Sequence, residues 1–328
     1  MPRPSRIDDL LAALTSAGGV AETAELVAAS SKATVRSAVA AGSIIRVGHG
    51  VYTFAGLADP TAVPAAVSRS WARWNEGPSD AESAVLTARY AMAAGRSGAL
   101  SHLCAAAHHG WPILKEPTRV EIAVPWNRNV RDTLSETIMT TRRDLTEAER
   151  VDHVTSPVRT VIDCARQLPL TEAFAVADSA LRSGKVGRGE LVAASLTVKG
   201  RGAGKVREVL QAADGRAANP FESALRAVHH GVSELSLVPQ YPIGGDGFNA
   251  RVDLADPELR LVVEGDSYSF HGGSDSFERT QRRQVELVGR DWIVLPYGFR
   301  AVMHEADWVR GATEAAVQVR LARGYRRR

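Results

Sequence analysis

The sequence predicts an α+β chain of several domains, and three observations predict it. At 328 residues the chain exceeds one typical domain and can bury more than one core. Residues 6 to 41 carry apolar positions at helical spacing and run into two short β-prone segments. Residues 248 to 297 read strand, strand, helix, strand, each bounded by Gly, Pro or Asp. A hydrophobic content of 45% with 23% charged residues is that of a globular protein, which excludes a largely disordered chain. The expected division is 1–58, a middle region 59–198, a basic linker 199–217 and a last domain 218–328.

In the first domain Ile7, Leu10, Leu11 and Leu14 recur at helical spacing, and Gly18-Gly19 stops that helix. Thr23 is the expected cap of a second helix over 24–29. Ser30-Ser31 makes the turn, and a third helix over 32–41 ends at Gly42. Two strands, 44–47 and 51–54, are joined by Gly48-His49-Gly50. Three helices and a hairpin make a winged helix-turn-helix. At about 1.5 Å per residue the third helix is roughly 14 Å long, suited to a major groove about 12 Å wide. Lys32, Thr34, Arg36 and Ser37 are expected on its exposed face, with Arg46 and His49 on the wing against phosphate. A protein-docking module is the alternative for the same elements. The run Ile44-Ile45-Arg46-Val47-Gly48-His49-Gly50-Val51-Tyr52 resembles the N-terminal domain of AbiEi-type antitoxins, where Leu-x-Arg-x-Gly-x-Gly-Val-Tyr is typical. That resemblance implies DNA binding and autoregulation.

The middle region carries less chemistry. Ala-rich helices are expected over 81–94 and 100–109, a strand over 119–125 with 137–141 as its partner, and helices over 158–168 and 171–183. Ser101-His102 and Arg159-Thr160-Val161-Ile162-Asp163 resemble stretches of an AbiEi-like middle region. Ser101 reads as an N-cap, since adjacent residues on a helix do not face each other. Lys199 to Lys205 is Gly-rich and basic, but Val206 stands where a phosphate-binding loop needs Ser or Thr, so a flexible linker is expected.

The last domain opens with Asn219 as a cap and Pro220 in the first turn of a helix over 220–230. A strand over 237–243 follows. The runs 250–254 and 260–264 form a hairpin about Asp256-Pro257, and Leu261-Val262-Val263 has the continuous apolar character of a buried strand. A helix over 275–288, ending at Gly289, and a strand over 292–295 complete the order; a helix over 305–322 closes the chain. Glu264 belongs to the buried strand, and a buried carboxylate needs a cation or donors to offset several kcal/mol. His271 follows it, then Arg279, Arg282 and Arg283 on the helix. Carboxylates for a hard cation, arginines for phosphate and a histidine for protons are the parts of a metal-dependent phosphodiesterase. A hairpin turning at Asp256-Pro257 sets Asp253 opposite residue 260 and Glu264 opposite 249. Four residues of offset is roughly 13 Å, so a twist or bulge is needed to join them.

Arg251-x-Asp253, Leu261-Val262-Val263-Glu264, His271, the Arg-rich helix and Gly-x-x-Trp292 resemble the very-short-patch-repair endonucleases and the nuclease-like domains related to them, in the PD-(D/E)XK superfamily. The likeness covers roughly 218 to 310. It implies a restriction-endonuclease-like αβββαβ core and Mg²⁺-dependent (or Mn²⁺-dependent) cleavage of DNA. Asp253 and Glu264 would be catalytic metal ligands, with Glu222 from the first helix as a third. Asp266 would assist, and His271 would be the acid or base. The usual lysine two residues past the strand acid is here Asp266.

Whole-chain bounds complete the reading. A net charge of +3 and a pI near 9.0 are compatible with nucleic acid but too small to argue for it. Two distant cysteines, Cys104 and Cys164, exclude a disulfide framework. No run approaches the ~18 apolar residues of a membrane span, and the N-terminus lacks a signal-peptide core, so a cytoplasmic protein is expected. DNA is the expected partner, alongside a homodimer or a toxin–antitoxin-type partner. Three readings stay open: a DNA-binding endonuclease, a non-catalytic antitoxin-like regulator with a degenerate nuclease fold, and acids that are structural, with Glu264 paired to an arginine of the next helix.

Overall fold

The computed structural model describes residues 6–48, 50–55, 89–90, 92–127, 138–245, 247–266 and 274–325, the side chains of 274–277 excepted. It is a mixed α/β chain with three separate sheets. Two compact units are present. One holds the described residues up to 163 except 111–114; the other holds 111–114 and 164–325. The division between them falls inside a helix, α5 (Pro157–Gln167). Among the described residues no helix is long and apolar enough to cross a membrane.

The first unit begins α1 (Arg6–Ser16), β1 (Val20–Glu22), α2 (Thr23–Ala29), α3 (Lys32–Ala40), β2 (Ile44–Gly48) and β3 (Val51–Phe54). Leu10, Leu14, Leu26, Val35, Ala38 and Ile44 form one buried cluster, which is why the apolar spacing read from the sequence holds. The three strands pair antiparallel in the order β1-β3-β2. β1 was not expected: three residues are too few to show a period, and pairing with β3 makes the strand. It also displaces Thr23 from its expected cap role. Glu22 caps α2 in a box with Glu25, while the Thr23 hydroxyl donates to the Gly50 carbonyl at 2.9 Å. Ser31 caps α3 as the turn reading implies. In the same unit lies a five-stranded sheet, order β6-β5-β4-β8-β7, built from β4 (Ala99–Leu100), β5 (Val120–Val124), β6 (Ile138–Arg142), β7 (Arg150–Val151) and β8 (Val154–Thr155). The strand expected over 137–141 is β6, and it pairs with β5 in parallel. Ser101 stands at the N-cap of α4 (His102–His108), but its hydroxyl lies 2.9 Å from His102 Nδ1 and caps no backbone N–H. Both residues are buried, so this Ser–His pair faces no solvent. Of the helix expected over 81–94, all but a few residues fall outside the described ones.

The second unit starts with α6 (Leu170–Arg182), α7 (Arg188–Thr197), α8 (Ala203–Ala212) and α9 (Pro220–His229). Residues 199–217, expected as a flexible linker, therefore contain a helix. Val206, Val209 and Leu210 are fully buried, and their helical spacing outweighs the Gly and Lys around them. The sheet follows: β9 (Val238–Gly245), β10 (Phe248–Asp256), β11 (Leu261–Asp266), then α10 (Ser274–Gly289) and β12 (Ile293–Gly298), in the spatial order β12-β11-β10-β9. β9, β10 and β11 are antiparallel neighbours and β12 joins β11 in parallel. α11 (Phe299–His304) and α12 (Ala306–Ala322) pack with α9 on one face, around Phe221, Leu225, Leu254, Leu261, Val263 and Val309. Leu287 of α10 covers the other face with Val252, Ala255 and Val262.

A buried ion pair fastens α6 to α9. Asp178, with no exposed surface, accepts two bonds from Arg226 Nη2 at 2.6 and 2.7 Å and one from the Asp214 N–H at 2.7 Å. Burial drives the Asp178 carboxyl upward and the Arg226 charge opposes it. Arg226 also donates to the Ala212 carbonyl and lies over the Phe174 ring. Arg226→Leu is expected to cost ~3–5 kcal/mol of unfolding free energy, because it leaves a buried carboxylate without its cation. Adding Asp178→Leu should restore much of that loss. Urea denaturation of the two variants measures both effects, and a small loss in the single variant would show that the pair is not a fastener.

Candidate active site

The cluster is built from the ends of four elements of the second unit. Asn219 caps α9 by accepting from the Glu222 N–H at 3.0 Å, and Pro220 occupies the first turn, where no N–H is needed. This brings the Glu222 side chain back over the cap. It accepts from Asn219 Nδ2, the Ala218 N–H and Gln240 Nε2, each at 2.8 Å. Gln240 comes from β9 and has a positive φ of 51°. Val252 and Leu254, two residues apart on β10, pack on opposite faces of the sheet. Strand alternation therefore breaks at Asp253, the β10 residue opposite Gln240 in the β9 register.

The sheet register corrects the hairpin geometry expected from sequence. Leu254 pairs with Val263, Ala255 with Val262 and Asp256 with Leu261, so the loop is 257–260 and Asp253 and Glu264 are the next residue on each strand beyond the last pair. The two acids are cross-strand neighbours, with no 13 Å gap to close. Asp253 Oδ2 accepts from the Gly265 N–H at 2.9 Å. A Cβ on Gly265 would lie 2.7 Å from the Phe221 ring, so glycine allows β11 to approach α9 closely enough for that bond. Glu264 is 4% exposed, and Arg283 and Gln284 are the groups that oppose the burial of its charge. Its cation is Arg283, whose Nη2 lies 3.0 Å from Oε1 while Nη1 donates to the Arg251 carbonyl.

Burial and mutual repulsion leave all three acids hard to ionise. Burial raises Glu222 from 4.5 to about 7, and Asp253 adds to this against the donors Ala218 and Gln240. Burial also raises Asp253, opposed by the Gly265 N–H and Arg283. Glu264 is raised by burial, lowered by Arg283 and raised again by Asp253. One arginine does not neutralise this set.

Of the residues singled out from sequence, Glu222, Asp253, Glu264 and Arg283 come together. Asp266 lies exposed two residues past Glu264, close enough for its charge to raise that acid. Arg279 stands one turn before Arg283 on the same side of α10, exposed. Arg282 is exposed elsewhere on the helix, 3.9 Å from Glu278. His271 and His49 lie outside the described residues. On α3, Lys32, Arg36 and Ser37 are exposed as expected, and so is Arg46 on β2. Thr34 is buried and bonded to Ser31, which corrects its expected place on the contact face. Sequence reading missed Gln240 and Gly265. Their signals were a polar residue between Pro239 and Tyr241 in an apolar strand, and a glycine directly after the strand acid.

The donor set suits a hard divalent cation in part. Among the described residues no three His, Cys, Asp or Glu side chains close around one point. Mg²⁺ does not require that, since it is commonly held by one or two carboxylates with waters and substrate phosphates. Asp253 and Glu264, both buried and answered by Arg283 alone among the described cations, supply such a pair.

No protein-family profile matches the chain. It is similar to two proteins of Mycobacterium tuberculosis described as uncharacterized, MT2308 of strain CDC 1551 and Rv2248 of strain H37Rv. Each is 39% identical over 146 residues, covering 43% of this chain and 53% of the relative. The chain thus spans about half the length of the curated relatives it matches. A crystal structure of the Rv2827c protein from the same species overlaps 74% of this chain and 89% of its own, at 13% identity and a TM-score of 0.33, too distant to carry an argument.

The Glu222 shift has a signed consequence. Between pH 4.5 and about 7 the folded chain binds more protons than the unfolded one, so stability falls as pH rises through that window. The contribution is on the order of 3 kcal/mol. Asp253→Asn, which removes the neighbouring charge but keeps an acceptor for Gly265, should shrink the fall. Melting temperatures between pH 5 and pH 8 test this; equal slopes in variant and wild type would refute the coupling.

Proposed function

We propose that the protein binds DNA through its N-terminal elements and hydrolyses DNA phosphodiester bonds, with Mg²⁺ or Mn²⁺, at the Glu222–Asp253–Glu264 cluster. The observation that carries the reading is that Asp253 and Glu264, each the next residue beyond the last β10–β11 pair, are buried close enough for the Asp253 charge to raise both Glu264 and Glu222, with Arg283 to answer the pair. Such a site is under-neutralised by its own arginine and is stabilised by a second cation. Supporting it, the order α9-β9-β10-β11-α10-β12 matches the αβββαβ core expected of the restriction-endonuclease-like fold. In the first unit the order α1-β1-α2-α3-β2-β3 with sheet β1-β3-β2 supports a winged helix-turn-helix. There Lys32, Arg36 and Ser37 on α3 and Arg46 on the wing face solvent, where DNA would meet them.

In this reading Asp253 and Glu264 would hold the metal, which when bound would supply Lewis-acid polarisation of the phosphoryl oxygens and an activated water. Gln240, Asn219 and the Ala218 N–H fix the orientation of Glu222, whose protonation changes near neutrality and suits it to proton exchange. Arg283 and Arg279, on one side of α10, bind the phosphates flanking the scissile bond. His271 completes the proton-transfer set by resemblance.

A second reading is favoured by specific observations. Arg283 already pairs with Glu264, and Asp266 stands where the superfamily has lysine. In that reading the fold is a non-catalytic platform, and the protein is an antitoxin-like regulator that binds an operator through α3.

Calorimetric titration with Mg²⁺ at pH 8 followed by plasmid nicking separates the two. The nuclease shows saturable binding, a raised melting temperature and nicking. Glu264→Gln should lose all three, with at least a hundredfold drop in nicking, while keeping its fold and DNA affinity. Wild-type protein that neither binds metal, with or without DNA, nor nicks DNA would leave the regulator as the account.

A further inference from the structure

Among the described residues β9 is an outer strand of its sheet, hydrogen-bonded to β10 alone. An open outer strand ordinarily invites a peptide strand to pair with it. Pro239 and Pro242 each lack an N–H, which makes this strand a poor template for a peptide strand. Along it runs a groove of about 610 Å³, floored by Pro239, Gln240, Tyr241 and Pro242 and flanked by Arg216 and Arg251. Ala218 also lines it. Ala218 and Gln240 are the residues that donate to Glu222, so the groove borders the acid cluster directly.

The cations are placed for a chain of phosphates. Arg251 is exposed, its guanidinium has no partner among the described residues, and it lies two residues before Asp253 on β10, roughly 6.6 Å away. Arg216 is held by the Asp214 carboxylate two residues earlier and still exposes 60% of its side chain. Tyr241 also lines the groove, while its ring packs 6.4 Å from the Trp292 ring against the core beneath α10. Tyr241 and Pro242 also line a second groove, with Arg290 and Trp292, so the surface continues round the sheet edge.

We propose that this groove is a track for the phosphate backbone of a single strand of nucleic acid, with Arg251 and Arg216 on its phosphates. The inference rests on the phosphodiesterase reading of the acids, since the track leads a backbone to them. It differs from the α3 surface, which is shaped for a duplex groove. It also adds to α10, which approaches the acids from the other face of the sheet.

The test measures fluorescence anisotropy of a fluorescein-labelled oligothymidine in EDTA, so that binding is read without cleavage. All proteins carry Lys32→Ala and Arg36→Ala to remove the α3 contribution. Arg216→Gln/Arg251→Gln is expected to weaken binding by roughly tenfold and to reduce the slope of log affinity against log salt by about 1.4, two phosphates' worth. Both arginines are at the surface, so the melting temperature should hold. Unchanged affinity and slope in the double-arginine variant would overturn the track. So would equal binding of a duplex of the same length through the same two arginines. Nicking by wild-type protein and by Glu264→Gln, measured separately with Mg²⁺, reports on the acid centre. Loss of the track with nicking intact, or the reverse, distinguishes the two failures.

Discussion

The candidate site depends on the turn that joins β10 to β11. Asp256 is 1% exposed and holds that turn from inside: its carboxylate accepts from the Ser236, Glu258 and Leu259 N–H groups at 2.7, 3.0 and 3.0 Å. Leu259 is buried beneath it, and Arg260 takes a positive φ of 46° to re-enter the sheet. These contacts make the loop four residues long and fix the register that follows. In a two-residue turn the same strands would pair two residues out of step, and Asp253 and Glu264 would part. A carboxylate with no chemistry to perform thus decides where the others meet.

The second constraint is electrostatic. Three acids converge where α9, β10 and β11 meet, in surroundings that penalise each charge. The helix that answers them is positioned by packing. Leu287 of α10 is buried against Val252, Ala255 and Val262, and Arg283 lies one turn earlier on the same side of the helix. Burying Leu287 therefore swings Arg283 toward Glu264, while Val285 and Val288 stay in solvent. On the α9 side neutral donors do the equivalent work. Asn219, Gln240 and the Ala218 N–H all point at Glu222, which lets a buried carboxyl persist without a full counter-charge.

Much of this was legible in the sequence because it rests on periodicity and punctuation. The helices α1, α3, α9, α10 and α12 and the strands β9 to β12 lie within a few residues of where apolar spacing, Gly and Pro place them. Glu222, Asp253 and Glu264 were legible as a set through a family resemblance together with strand position. Other features depend on long-range contact and leave no local trace. β1 exists because β3 pairs with it. α8 was hidden by a Gly- and Lys-rich composition that masks three buried apolar residues. The length of the 257–260 loop follows from hydrogen bonds to Asp256, one of them from Ser236, twenty residues away. Gln240 matters because its strand crosses the site, a relation that only the folded sheet creates.

The ion pair between Arg283 and Glu264 bears on how the proposed nuclease would work. Asp253 and Glu264 together carry two negative charges when ionised, against one on Arg283. Glu222 adds a third above its pKa of about 7, so Arg283 and one divalent cation would together balance the cluster. A phosphate of the substrate would then compete with Glu264 for Arg283. The cation beside Glu264 comes from α10, since the residue two positions past that acid is Asp266. In the proposed nuclease the Arg283–Glu264 pair would be the state without substrate.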